Sequence, residues 1–193
     1  MIIRPKNWNE VKGFSDRPKL PLDAYVCKVK KAAVQNNGYG DQLCILFDIS
    51  EGEYRGFYKD EYDGNQQENK KWKGVLRIWL PKDDGSEKDE WTKRTFKTTV
   101  EAFEKSNPGY QFNWDEGSLA GKTIGVLFRN EEWEYNGKSG WAVRPYRVLS
   151  ADDARNGVFR LPKDKPLKTR SEDTYSEPTN YAVVEDDDEG LPF

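Results

Sequence analysis

Aromatic and basic side chains alternate along several stretches of this 193-residue chain, and their combined chemistry suits an unpaired polynucleotide. Trp and Tyr rings stack on exposed base faces at about 1–3 kcal/mol per base, and Lys and Arg neutralise phosphates. A duplex hides its base faces, so such a surface favours single strands and reads no sequence. The prediction depends on the cluster, since a single Lys is usually on a solvated face and a single Trp often packs in a core. The candidate residues are Lys28, Lys30, Tyr54, Arg55, Tyr58, Lys59, Lys71, Trp72, Lys73, Arg77, Trp79, Arg129, Trp133, Tyr135 and Arg144.

Catalytic chemistry has little support in the residue types. The chain has no histidine, which is the most common general base, and no glycine-rich phosphate loop followed by a lysine. Asp115 and Glu116, together with Glu131, Glu132 and Glu134, offer oxygen ligands for Mg²⁺ in a nuclease. Carboxylates that alternate on a strand beside a turn are ordinarily solvated, however. We therefore expect no enzyme activity, no metal and no cofactor, and keep a metal-dependent nuclease as the weakest alternative.

Charge is divided unevenly along the chain. The formal net charge is −3, with 31 Lys and Arg against 34 Asp and Glu. Eight of the acidic residues and none of the basic ones follow Arg170, so residues 1–170 carry a formal excess of five positive charges. A basic body with an acidic tail is typical of a polyanion binder, although an excess of five is modest.

The elements that must position the candidate residues are mostly strands. Apolar alternation predicts strands, and Asn136-Gly137 between two alternating runs predicts a final hairpin. In the third strand, Leu76, Ile78 and Leu80 should face the core, with Arg77 and Trp79 outward. The predicted strands cover residues 20–35, 42–50, 72–80 and 121–130, and the hairpin arms cover 131–135 and 141–149.

One substantial helix is predicted at residues 89–105, where Trp91, Phe96, Val100 and Phe103 recur at helical spacing. The order of three strands, one helix and two strands is that of a five-stranded OB-fold barrel with its helix between strands 3 and 4. A split sheet with one packed helix would give the same order. Residues 51–62 are expected to form a bent strand or an extended loop. Trp8, Trp91 and Trp114 are assigned to packing.

The chain divides into four predicted parts. An N-terminal arm (1–19) precedes an OB-fold nucleic-acid-binding domain (20–150). A flexible linker (151–184), which could begin with a short helix, leads to an acidic tip (185–193). From Pro162 onward the chain is rich in Pro, Lys, Asp, Ser and Thr and lacks the apolar surface that offsets ordering entropy, so we expect a disordered C-terminal tail.

The tip joins five consecutive carboxylates to Gly190-Leu191-Pro192-Phe193. A free C-terminus of this kind suits a partner pocket that is apolar at its floor and basic at its rim. Acidic tails are often only solubilising, but a solubilising tail has no use for an apolar end. The candidate partner-binding residues are Asp186, Asp187, Asp188, Leu191, Pro192 and Phe193.

This ending resembles the tip of bacterial and phage single-stranded DNA-binding proteins, where an acidic run ending in Pro-Phe recruits replication and recombination proteins. It departs at Glu189-Gly190-Leu191, because the commonest tip continues acidic and has an Ile-like residue before the Pro. The order of body, linker and tip looks like a phage-type member. Glu51-Gly-Glu-Tyr-Arg-Gly56, after Phe47-Asp48-Ile49, is similar to a segment of replication-module proteins from phages of Gram-positive bacteria. The resemblance implies that the barrel binds DNA and the tip binds partners.

These observations predict a protein that coats single-stranded DNA without sequence preference during replication and recombination, and that recruits partner proteins through its tip. The alternative is the same barrel acting as a protein-interaction module. Cys27 and Cys44 lie in apolar runs and cannot form a usual zinc site without histidine, so we expect buried thiols in a reducing cytoplasm. For a phage protein this is the bacterial host cytoplasm. No membrane partner is expected, and a homo-oligomer is possible.

Overall fold

The centre of the fold is a long hairpin formed by β1 (Ala24–Asn36) and β2 (Asp41–Ile49). The computed structural model describes residues 3–9 and 19–167. The two strands pair from Cys27 opposite Ile49 to Asn36 opposite Asp41, with a β-bulge between Val29 and Lys31. Every residue of β2 after Asp41 is buried. The strict apolar alternation of this stretch therefore places its larger side chains in the core, as predicted.

Three further strands complete one antiparallel sheet in the order β3-β2-β1-β4-β5. They are β3 (Val75–Trp79), β4 (Thr123–Tyr135) and β5 (Lys138–Leu149). Asn136 and Gly137 join β4 to β5 with positive φ values of 51° and 70°, as a two-residue hairpin turn requires. The edge strands β3 and β5 approach each other without pairing. The prediction of a mostly β structure with five strands is confirmed, and the predicted strand at 121–130 continues into the hairpin as one strand.

The long helix is α2 (Glu87–Ser106), which lies between β3 and β4 as predicted. It begins at the cap residue Ser86, whose side chain accepts a hydrogen bond from the Asp89 N–H. Phe96 and Phe103 are buried on its inner side and join the core beneath the sheet. Helical spacing of aromatic residues thus identified this element correctly.

The prediction of a bent strand or loop over residues 51–62 is wrong in its second half, which forms α1 (Phe57–Asp63). Its cap residue, Gly56, has no side chain to accept a helix N–H. The buried carboxylate of Asp48 on β2 supplies the acceptor instead, 3.1 Å from the Tyr58 N. Tyr58 then packs edge-on against Phe47, with ring centroids 5.6 Å apart. The start of the helix is specified by a residue ten positions earlier, which local sequence patterns do not reveal.

A third helix, α3 (Ala151–Arg155), covers part of the other side of the sheet. Ala24, Val26 and Leu127 are buried outside the main core, on the side where α3 contacts β1 and β4. Gly125 permits this close approach, because a Cβ there would lie 2.6 Å from the Ser150 carbonyl oxygen.

The first part of the predicted linker, residues 151–167, is therefore packed on the body, beginning with α3. Lys165, further along, hydrogen-bonds to the backbone of β4. The rest of the predicted linker and tail, including the tip, lies outside the described residues, as do residues 10–18 of the predicted arm. None of the helices within 3–9 and 19–167 is long and apolar enough to cross a membrane.

Candidate nucleic-acid interface

One side of β1, β2 and β3 turns away from the main core, and we call it the β1–β3 face. The register places Lys31, Leu46 and Val75 in one row across it. The next rows contain Ala33, Cys44 and Arg77, and then Gln35, Gln42 and Trp79. Lys28 lies opposite Asp48 at its other end. Along its middle strand the face therefore has the uncharged residues Leu46, Cys44 and Gln42, with the carboxylate of Asp48 at one end, and it has cations and an aromatic ring on the strands to either side.

The exposed residues of this face lie on β1 and β3, the two strands on either side of β2. Lys28, Lys31 and Arg77 are exposed, whereas Cys44 and Leu46 on the middle strand are buried. Burial raises the pKa of the Cys44 thiol, and the nearby Arg77 guanidinium opposes that rise. The row of Ala33, Cys44 and Arg77 contains one cation and no acidic residue, which suits contact with phosphate.

A cation–aromatic unit stands at the Lys28 end of the face. The Lys30 Nζ lies 4.7 Å from the Trp72 ring centroid and 3.9 Å from an Asp48 carboxylate oxygen. The indole N–H of Trp72 donates to the Phe47 carbonyl oxygen at 2.9 Å, which fixes the ring against β2. Tyr62 lies beside it, with ring centroids 5.7 Å apart. Two aromatic rings and one cation are therefore held together next to the β1–β3 face.

The carboxylate of Asp48 contacts both this cation–aromatic unit and α1. Burial raises the pKa of its carboxyl group, while hydrogen bonds from the Tyr58 and Ile49 backbone and the charge of Lys30 oppose the rise. One oxygen accepts the two backbone N–H groups, and the other faces Lys30. The same carboxylate therefore anchors α1 and positions a candidate DNA-binding lysine.

Trp79 marks the opposite end of the face, beside the β1–β2 turn. A Cβ on Gly40 would lie 3.4 Å from the Trp79 ring and 3.0 Å from the Lys82 side chain, so the turn approaches both. The Lys82 Nζ donates to the Tyr39 carbonyl oxygen at 2.8 Å. Trp79 is half-buried, and Tyr39 is 74 % exposed at the turn. An indole with one side packed and another open is suited to stacking with little loss of rotamer freedom.

The candidates around α1 are mostly engaged within the protein. Tyr58 is buried, which corrects its predicted place on the binding surface. Tyr54 is half-buried and packs edge-on against Tyr25 with centroids 5.8 Å apart. Lys59 pairs with Asp63 at 2.6 Å, and Lys73 pairs with Glu61 at 2.7 Å. Arg55 and Lys71 are exposed near this region of the chain. Both exposed ion pairs are weak enough to be exchanged for a phosphate.

A second group of candidates lies on the hairpin arm, which we define as residues 130–143 of β4 and β5. Trp133 and Tyr135 share one side of the arm and are 37 % and 73 % exposed. The Trp133 indole lies across Gly140, where a Cβ would be 3.1 Å from the ring. Arg144, at the base of the arm, is exposed on the same side. The arm therefore presents two accessible rings and a cation on one surface.

Arg129 is placed differently from its prediction. It is buried, ion-paired with Glu131, and its guanidinium lies 4.3 Å from the Tyr146 ring centroid. These contacts hold the base of the arm together and leave its charge facing the protein. Arg129 therefore stabilises the base of the arm and is not exposed for phosphate contact.

The β1–β3 face and the candidate residues of the hairpin arm are on the same side of the sheet, but the two surfaces are not continuous. The strip of Ala24, Val26 and Leu127 between them is buried beneath α3. The β1–β3 face and the hairpin arm are therefore two surfaces separated by a helix. Sequence alternation alone gave no indication of this separation.

The sequence-based prediction also omitted several cations and rings that are exposed or half-buried. Lys31 falls on the outward side because the β-bulge after Val29 shifts the alternation by one residue. Lys70 lies 4.5 Å from the Tyr62 ring centroid, and Lys82 accompanies Trp79. No local sequence pattern reveals the bulge. The high density of aromatic and basic residues over 54–73, in contrast, could have identified Tyr62 and Lys70 as candidates.

The assignment of Trp114 to packing is also wrong. Trp114 is 81 % exposed, although its ring lies 5.8 Å from that of Phe112 and 6.3 Å from that of Phe96. Trp8 and Trp91 are likewise exposed, at 58 % and 37 %. Trp114 lies outside the two candidate surfaces, and its ring is the most exposed of these three.

Among the described residues, no group of three or more acidic or cysteine side chains is arranged to hold a metal ion. Cys27 and Cys44 are buried free thiols. Compared with known proteins, the chain matches no family model, and no curated protein sequence matches it either.

Proposed function

We propose that this chain binds single-stranded DNA without sequence specificity on the β1–β3 face and the hairpin arm. The observation that carries the proposal is the unit of Lys30 and Trp72 at one end of the face and Trp79 with Lys82 at the other. Arg77 lies between them in the register of the sheet. Rings suited to bases are thus interleaved with cations suited to phosphates along one strand edge.

The same proposal assigns the fold to the OB barrels. Strand order β3-β2-β1-β4-β5, a helix between β3 and β4, and the approach of β3 to β5 support a partly open five-stranded barrel. OB barrels use the face of strands 2 and 3 and the loops joining strands 1–2 and 4–5 to bind oligonucleotides. Trp79 lies at the first of these loops, and the hairpin arm is the second.

The mechanism follows from the two kinds of contact. Half-buried rings are already ordered, so stacking a base on them costs little side-chain entropy. Exposed Lys and Arg release counterions from the phosphates, which makes binding salt-dependent. Paired bases cannot reach the rings, so the surface discriminates against duplex without reading sequence.

The tip at 185–193 completes the proposed function. Its acidic run and apolar end would recruit replication and recombination proteins to coated DNA, as the resemblance to single-stranded DNA-binding proteins implies. The tail's charge has the same sign as DNA, so the tip is assigned to partners and the body to DNA.

The test is the salt dependence of binding to a fluorescein-labelled oligothymidine, followed by anisotropy. For single strands, each phosphate contact contributes a slope of about −0.7 in log K against log [salt], so removing three contacts should reduce the slope by roughly two. The triple variant Lys28→Ala, Lys31→Ala, Arg77→Ala tests the face.

The matched control removes three α2 cations, Lys88, Arg94 and Lys97, and should leave the slope almost unchanged. Equal slopes for the face variant and the wild type, with both proteins folded, would exclude the β1–β3 face as the phosphate-binding surface. Equal affinity for a duplex would argue against base stacking.

A further inference from the structure

The open edge of β4 is paired with residues 163–167 of the same chain through an isolated β-bridge, and we call this segment the added strand. β1 covers this edge only up to Leu127, and Asp23 accepts the Phe128 N–H just beyond it. Further along, Lys165 forms a parallel bridge with Glu131. The Lys165 N–H donates to the Asn130 carbonyl oxygen and its own carbonyl accepts from the Glu132 N–H, both at 2.9 Å.

Side chains reinforce this pairing at each end. The Asn130 side-chain amide donates to Asp164 at 3.0 Å, and the Leu167 N–H donates to the Glu132 carboxylate at 3.0 Å. The Lys165 Nζ lies 3.8 Å from a Glu131 carboxylate oxygen. Main-chain bonds on a sheet edge, supplemented by side-chain contacts, are the pattern by which proteins bind extended peptides.

The charges at this edge select one kind of strand. β4 carries Glu131, Glu132 and Glu134, and two of these contact the added strand. The added segment has a net positive charge, with lysines at 163 and 165 against Asp164, and lysine and arginine follow at 168 and 170 in the sequence. Two copies of β4 placed edge to edge would bring these carboxylates together, which is unfavourable.

The added strand is held with little apolar burial. Asp164 and Pro166 are exposed, and Leu167 is 43 % exposed. Pro166 has no N–H, so the outer side of the added strand is a poor template for yet another strand. Polar bonds at a surface exchange readily with equivalent bonds from another segment.

We propose that the β4 edge at residues 130–134 is a docking site for a basic extended segment of a partner protein, and that residues 163–167 occupy it until such a segment displaces them. Asn130 and Glu132 supply the main-chain bonds, and Glu131 and Glu132 supply the charge selectivity. The site lies on the edge of the hairpin arm, beside one of the proposed DNA-binding surfaces, but it uses the main-chain groups of that edge and does not rest on the proposed function.

The test uses the full chain and amide hydrogen exchange at Glu132, whose N–H donates to the Lys165 carbonyl oxygen. Lys165→Pro removes the N–H donated to Asn130, and exchange at Glu132 should become about tenfold faster, as expected for one lost hydrogen bond. Lys165→Ala keeps both main-chain bonds and should change exchange little. The Phe128 amide, bonded to Asp23 on the same edge, is the internal control for folding.

A synthetic peptide of residues 161–170 is then added in trans. It should restore slow exchange at Glu132 in the Lys165→Pro variant, and it should bind wild type about tenfold more weakly, since the resident strand competes. The same peptide with glutamate at 163, 165 and 168 should not bind.

Asp164→Ala, which removes one side-chain bond, is a milder variant expected to shift exchange in the same direction. Fast Glu132 exchange in the wild type, no protection by the peptide, or equal binding of the acidic peptide would each overturn the proposal.

Discussion

Replacing Trp79 with Ala should weaken oligothymidine binding about five- to 150-fold, because one stacked base is worth about 1–3 kcal/mol and 1.4 kcal/mol is a factor of ten. The structure gives the reason for choosing this ring. Trp79 is half-buried, faces outward from an edge strand, and lies against the glycine of the β1–β2 turn and the Lys82 side chain. It is therefore ordered before any DNA arrives.

The assay is anisotropy of a labelled oligothymidine at fixed low salt, with urea unfolding of each variant to establish that it is folded. Trp79→Phe keeps a smaller ring and should lie between wild type and Trp79→Ala. Trp114→Ala removes a more exposed ring, at 81 %, from a different part of the protein, and should bind as wild type does.

Two results would contradict a stacking role for Trp79: folded Trp79→Ala binding within twofold of wild type, or Trp114→Ala losing as much affinity. The first result would remove Trp79 from the stacking surface. The second would show that exposed tryptophans contribute irrespective of position, so that the β1–β3 face has no special role.

Three other predictions concern the body, its pH response and the tip. Gly74→Ala should destabilise the fold by about 1–3 kcal/mol in urea unfolding, because the new Cβ would lie 2.4 Å from the Phe47 carbonyl oxygen; an unchanged midpoint would contradict this packing. Hydrogen bonds from Arg155 hold the pKa of Glu51 below its usual value, so their contribution to stability is present above the unfolded pKa of about 4.5 and is lost as pH falls through the folded pKa. Glu51→Gln should therefore lose less stability than wild type on acidification below pH ~4.5, and parallel curves would exclude the effect. Deleting 185–193 should leave oligothymidine affinity equal or slightly tighter, and a large loss would contradict the division between body and tip.

Much of the fold could be predicted because its signals are local. Strict alternation identified β2 and β3, helical spacing identified α2, and Asn136-Gly137 identified the last hairpin. In each case the apolar period or the turn residues are specified within a few positions.

The remaining elements depend on partners that are distant in sequence. The α1 helix begins where Asp48 from β2 accepts its N–H, and the added strand at 163–167 exists because β4 offers an uncovered edge. The polar composition of that segment predicts a flexible linker, but the segment packs on the body, and its hydrogen bonds to Asn130 and Glu132 come from tertiary structure.

The candidate site was predicted only in part, for a related reason. Composition identifies which side chains suit DNA but not which of them the fold buries. Tyr58 is directed into the core by α1, and Arg129 is enclosed by Glu131 and Tyr146. Lys31 was missed because the β-bulge reversed the alternation of β1.

The central claim is that this surface stacks bases and neutralises phosphates of single-stranded DNA. The most direct measurement is intrinsic tryptophan fluorescence during titration with oligothymidine at low and high salt, with a matched duplex as control. We predict saturable quenching by the single strand that weakens as salt rises and is poor with duplex. Absence of quenching at low salt would contradict the claim and would leave the chain as a protein-interaction module.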